Sequence, residues 1–141
     1  MATTRTATTN WQGSLMQGSG QVTLESSGIG TYDVTWASRA ETPNGRTSPE
    51  ELIAAAHSAC FSMALSHALT QGGNEPTALV TTAEVTFQPG EGITGIVLRV
   101  RGTVPGMDRD AFVAAAEGAK VNCPVSKALT GTTITLDADL A

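Results

Sequence analysis

The sequence predicts an α+β fold, with two groups of antiparallel strands, about six in all, around a long central helix and a second helix. Three observations carry this. Residues 48–69, SPEELIAAAHSACFSMALSHAL, read as one uninterrupted helix. Glycine-punctuated stretches of alternating polar and apolar residues stand on both sides of it. Finally, the strands are grouped before and after the helix instead of alternating with helices, which argues against βαβ repeats. At 141 residues the chain has room for one domain, residues 1–141, with a real core.

Taken in order, residues 3–12 are threonine-rich, end near Trp11 and stop at Gly13, as a strand would. Gly18 and Gly20 bracket a turn before residues 21–25, where Val22 and Leu24 alternate with polar neighbours. Tyr32, Val34 and Trp36 repeat the alternation after Gly28 and Gly30, which completes a meander. The Pro and Asn-Gly of residues 41–47 mark a loop.

The long helix has a well-specified start. Ser48 can cap it, Pro49 suits its first position, and Glu51 completes an S-x-x-E box. Gly72-Gly73 supplies its end. Between these signals about 22 residues rise roughly 33 Å. Leu52, Ile53, Ala54, Ala55, Ala56, Ala59, Phe61, Met63, Ala64 and Leu65 place apolar groups all round the cylinder, which predicts burial on nearly every face. Cys60 is then a core residue. Beyond Pro76, residues 79–87 and 93–104 read as a hairpin turned at Gly90 and Gly92. Asp108 caps a second helix from Arg109 to about Val121, with Phe112, Val113, Ala116 and Ala119 on one stripe. A short helical piece at 124–129 and a last strand at 132–139 follow.

Charged residues make up 15% of the chain and the net charge is −5, so nucleic acid and polybasic membrane attachment have no electrostatic support. The first ten residues have no apolar core for a secretory signal, and no run approaches the roughly 18 residues that span a bilayer. The expected protein is soluble and cytoplasmic. Its two cysteines are then reduced, chemically used or simply buried.

Cys60 and Cys123 are too distant in sequence for a C-x-x-C pair or a clustered zinc knuckle. The ordinary reading is two inert buried thiols. Local physics nonetheless favours Cys123 as the reactive one, because it precedes Pro124 where a short helix starts and N–H groups stabilise a thiolate there. Cys60, among apolar neighbours, needs a cation.

The run S-P-E-E-L-I-A-A-A-H-S-A-C-F-S-M-A-L at 48–65, followed by N-C-P-V-S at 122–126, resembles the OsmC/Ohr family of thiol-dependent peroxidases, and the likeness extends over the whole chain. The resemblance implies Cys60 as the peroxidatic cysteine, which attacks a hydroperoxide, and Cys123 as the resolving one, which closes a disulfide with it. It also implies an arginine and a glutamate that hold the first sulfur as thiolate. Glu50 matches the glutamate. Arg39, read as lying in the strand ahead of the loop, matches the arginine as the OsmC branch places it, while a slightly longer loop keeps Arg46 open as the cation. The chemistry suits these residue types, since a guanidinium lowers a thiol pKa and steadies charge on the leaving oxygen. No metal or organic cofactor is implied; the expected reductant is a lipoyl-type dithiol instead of glutathione.

Ten residues separate Glu50 from Cys60, about 15 Å along a helix axis. Arg39 and Glu50 are therefore expected to serve the Cys60 of a second subunit in an intertwined homodimer. Other signals have bland readings. His57 could be a base, but is expected to be a core histidine with a backbone partner. Ser58, Ser62 and Ser66 are expected to bond preceding carbonyls, and a zinc set of Cys60, Cys123, His57 and His67 is disfavoured by spacing. Ile53, Phe61 and Met107 read as plain core before pocket. The alternative to the enzyme is a non-enzymatic redox-responsive or small-molecule-binding protein on the same scaffold.

Overall fold

A computed structural model describes residues 1–141, which sort into two units, Met1–Leu52 and Ile53–Ala141. In the first, β1 (Thr8–Gln12), β2 (Ser19–Thr23) and β3 (Thr31–Val34) form an antiparallel sheet in sequence order, the meander expected from the glycine spacing. The third strand stops early. At Thr35 the hydroxyl accepts the Ser38 N–H (3.1 Å) and Ser38 Oγ accepts the Thr35 N–H (3.0 Å), a reciprocal cap that starts α1 (Trp36–Ala40). Arg39 thus lies in the last turn of a helix, not in a strand as the alternation through Trp36 suggested. Ser38 Oγ also donates to the Thr47 carbonyl (2.8 Å), and Thr47 N–H donates to the Asp33 carbonyl (3.0 Å). These bonds fold the 41–48 loop back onto β3.

The long helix, α2 (Pro49–Gln71), begins as read: Ser48 Oγ accepts the Glu51 N–H (3.2 Å). The other arm of the box is different, because the Glu51 carboxylate takes the Thr47 hydroxyl (2.6 Å). At the far end Gly73 adopts a φ of 89°, and Asn74 N–H reaches the Leu69 carbonyl (2.9 Å). This is the left-handed stop that glycine permits. Burial on α2 departs from the expectation of cover on nearly every face. Within the chain only the i, i+4 stripe His57, Phe61, Leu65, Leu69 and, in the first turn, Glu50 are buried, while Ala55, Ala56, Ala59 and Met63 are exposed. With a mean hydropathy of 1.4 in its most apolar window, α2 also meets the length and composition of a membrane span, which the sequence reading had set aside. A soluble core helix meets the same test, and this one buries its stripe against the protein's own sheet.

In the second unit β4 (Ala78–Gln88) and β5 (Gly92–Thr103) form the expected hairpin, with a bulge at Thr86/Phe87. From β5 the chain passes through α3 (Arg109–Asn122) and α4 (Pro124–Ala128) to β6 (Ile134–Leu140). Asp108 caps α3 as read, its carboxylate accepting the Ala111 N–H (2.8 Å). β6 pairs parallel to β5, so this group is mixed and not wholly antiparallel. The reason is the connection: a helical crossover returns the chain to the end at which β5 began, and that forces a parallel strand. Along β5, Ile96, Leu98 and Val100 face inward, while Arg99 and Arg101 meet Glu84 and Asp137 on the exposed side. The core joins Phe61, Leu65 and Leu69 of α2 to Leu98 and Val100 and to Phe112, Ala116 and Ala119 of α3. Gly102 leaves open the space that the Phe112 ring fills.

Candidate active site

Cys60 stands mid-way along α2, next to buried Phe61, and is itself half-buried. Cys123 ends α3, where its N–H donates to the Ala119 carbonyl (2.8 Å), and it is the residue from which α4 starts. Proline at 124 has no N–H to leave unsatisfied at a first helical position, and it holds the preceding residue extended (φ −59°, ψ 123°). That break turns the Cys123 side chain into the core, where it is wholly inaccessible. There it meets Cys60. Both thiols are free, and they lie close enough to act on one another's ionisation.

The pair is electrically lopsided. Burial pushes the Cys60 thiol up; the Val125 N–H pulls the other way, and Cys123 adds to the rise. Burial also opposes a thiolate on Cys123, but the Ser126 N–H, the Cys60 thiol, the Ser126 hydroxyl and the Val125 N–H together outweigh it, and that thiol falls below its ordinary value. Proton is therefore drawn to Cys60 and charge to Cys123, the order that local sequence physics gave. Ionising Cys60 instead requires a positive charge beyond these neighbours.

A second constellation lies in the Met1–Leu52 unit. Arg39 Nε donates to both Glu50 oxygens (2.9 and 3.2 Å), and its terminal NH2 lies 2.8 Å from Oε1. Side-chain exposure is 31% for Arg39 and 8% for Glu50, so the carboxylate is committed to this fork while the guanidinium is only partly buried. Arg46 makes no such fork: it is exposed, and its guanidinium reaches the Asn44 carbonyl (3.5 Å). Beside Arg39 runs an apolar cleft of about 340 Å³, walled by Trp11, Leu15, Val34, Trp36, Pro49 and Leu52. Sequence reasoning missed it. Its walls come from residues 9–15, Val22, residues 34–39 and residues 49–52, and the only local hint is two tryptophans in a chain with 4% aromatics.

Of the weaker candidates, His57 is buried as expected, but its partner is the side chain of Ser126, Nε2 to Oγ 2.7 Å, not a backbone group. Ser58 and Ser62 donate to the carbonyls of Ala55 (3.2 Å) and Ser58 (2.8 Å), the bland reading. The zinc set does not assemble: no three His, Cys, Asp or Glu side chains converge on one point. Phe61 is core, and Met107 packs against it. Ile53 lines a groove of about 240 Å³ with Ile93, Ile96 and Leu129.

A family model described as OsmC-like protein matches residues 42–137. Peroxiredoxin OsmC of Escherichia coli (strain K12) is 42% identical over 134 residues, 93% of this chain and 92% of that protein. Among solved structures, an organic hydroperoxide resistance protein OsmC from Legionella pneumophila has a TM-score of 0.71 at 25% identity, over 95% of this chain and 96% of the other. The organic hydroperoxide resistance protein OhrB of Bacillus subtilis has a TM-score of 0.68 at 25% identity, over 96% and 98%. The thiol pair, the arginine–glutamate fork and these likenesses along nearly the full length lead to one assignment: the chain belongs to the OsmC/Ohr family of thiol-dependent peroxidases.

Proposed function

We propose that this cysteine-based peroxidase reduces organic hydroperoxides through a Cys60–Cys123 dithiol cycle. The observation that carries the reading is the contact between a half-exposed thiol and a wholly buried one. Peroxide reaches only the first. The Cys60 thiolate attacks the outer peroxide oxygen, the O–O bond breaks, and an alcohol leaves with a sulfenic acid on Cys60. Cys123 then attacks that sulfur, water leaves, and an external dithiol of lipoyl type reopens the disulfide. This cycle suits a cytoplasmic setting in which thiols are kept reduced.

The cation that ionises Cys60 is Arg39, steadied by Glu50 and supplied by the partner in a homodimer. Two features support this. Cys60 lacks sufficient help from its own neighbours, and the alanine and Met63 face of α2 is uncovered in one chain. The apolar cleft beside Arg39 suits the alkyl part of an organic peroxide. In single-turnover stopped flow with cumene hydroperoxide, Cys60→Ser abolishes reaction, whereas Cys123→Ser permits one oxidation and then stalls; equal loss in both would reverse the assigned roles. Mixing inactive Arg39→Ala and Cys60→Ser chains restores activity if the site is shared between copies, because one mixed dimer then keeps an intact half. Failure to recover activity in verified mixed dimers refutes the shared site.

A further inference from the structure

His57 and Ser126 have no part in that cycle as described, yet they form a buried polar pair joining α2 to α4. His57 is 0% exposed, Ser126 4%, and Nε2 lies 2.7 Å from Oγ. The other ring nitrogen, Nδ1, is buried without any partner. That orphan settles the direction of the bond. A buried N–H with no acceptor is costlier than a buried lone pair with no donor, so the hydrogen sits on Nε2 and is given to Ser126 Oγ. Ser126 is the third residue of α4, the helix that Cys123 starts, and its hydroxyl lies near the Cys123 sulfur; with one lone pair taken by Nε2–H, its own hydrogen is available to that sulfur. Desolvation lowers the His57 pKa and so favours the neutral ring. The ring therefore orients; it does not collect a proton.

We propose that His57 is a positioning residue for the resolving step: it fixes the Ser126 hydroxyl as a donor to Cys123 and so holds that sulfur as the thiolate that attacks oxidised Cys60. The proposal rests on the dithiol cycle above. In the attack an electron pair of Cys123 Sγ forms the S–S bond, the S–O bond of the Cys60 sulfenic acid breaks, and hydroxide leaves. The proton lost by Cys123 on ionising balances it as water. Cys123 is oxidised and the sulfenyl sulfur reduced, with no other reagent. The same arrangement selects the path of reduction. A dithiol attacks the accessible Cys60 sulfur, the S–S bond breaks, and its electron pair returns to Cys123, the better leaving group.

The test measures disulfide closure separately from oxidation. Reduced protein is mixed with one equivalent of cumene hydroperoxide, quenched at intervals with dimedone to trap the remaining sulfenic acid, and the disulfide is counted by mass spectrometry. Ser126→Ala and His57→Leu are expected to slow closure about tenfold, the loss of one hydrogen bond to a charged sulfur. His57→Gln, whose amide N–H can replace Nε2–H, recovers most of the rate. Adding His57→Leu to Ser126→Ala costs little more, since both act through one hydroxyl. In a Cys60→Ser background the Cys123 thiolate titrates at higher pH in Ser126→Ala. Closure at the wild-type rate in Ser126→Ala overturns the proposal, as does full additivity of the two substitutions. Should the wild-type protein form no Cys60–Cys123 disulfide, the dithiol cycle itself fails and this role with it.

Discussion

Replacing Glu50 by glutamine keeps the shape of the side chain and removes its charge. The carboxylate receives Arg39 Nε on both oxygens and the terminal NH2 on one. An amide can accept on its single oxygen, but its NH2 then faces the guanidinium donors, so one arm of the fork is lost. A hydrogen bond between charged groups contributes about 1.5–3 kcal/mol. Arg39 is about one-third exposed, and water compensates part of the loss, so a value of about 2 kcal/mol is appropriate, or roughly thirtyfold in kcat/KM if the fork aims Arg39 at the reacting sulfur. Arg39→Lys is expected to lose at least as much, because one ammonium cannot reproduce the planar contacts of Nε and NH2 together. The assay is kcat/KM for cumene hydroperoxide with a dithiol in excess, alongside thermal unfolding to separate activity from folding. Wild-type kcat/KM in a folded Glu50→Gln protein would refute the reasoning, leaving the fork a structural brace between α1 and the start of α2.

Three further outcomes follow from the geometry. Burial lowers the His57 pKa below its ordinary 6.5, so the unfolded state binds the proton first as pH falls, and stability is lost as pH drops from 6.5 through the folded value; urea unfolding between about pH 7.5 and pH 5 should show this slope, and His57→Gln should flatten it. A methyl group at Gly102 meets the Phe112 ring, so Gly102→Ala should cost about 1–3 kcal/mol in urea unfolding, and an unchanged midpoint would mean that the ring moves freely aside. Leu15 lines the cleft beside Arg39 and is half exposed; Leu15→Asp should raise KM for cumene hydroperoxide several-fold while leaving hydrogen peroxide reduction nearly unaltered, and equal effects on both substrates would remove the cleft from substrate binding.

Much of the fold is legible in local signals, and the departures have physical causes. Ser48, Pro49 and Gly73 mark α2 because capping and left-handed turns depend on residues adjacent in sequence. The Thr35–Ser38 cap is just as local, but it was masked by Tyr32, Val34 and Trp36, which continue a strand-like alternation across it. The parallel pairing of β6 is non-local, since the same alternation fits either direction. At the site, local physics placed the lower pKa on Cys123 correctly, and only the family resemblance gave Cys60 the first role. The Ser126 partner of His57 was out of reach for another reason. It depends on where α4 docks on α2, and a five-residue helix carries little periodicity from which to read that.

The parallel return of β6 bears on how the protein is made. Because β5 is the middle strand, it emerges during synthesis before one of its two neighbours exists. Until residues 134–140 arrive, its unpaired N–H and C=O groups, with Ile96, Leu98 and Val100 alongside, form an open template for another nascent chain. Both cysteines precede β6, so the redox pair is complete in sequence while the sheet that seats it is still open, and oxidant exposure in that interval meets thiols without their finished surroundings.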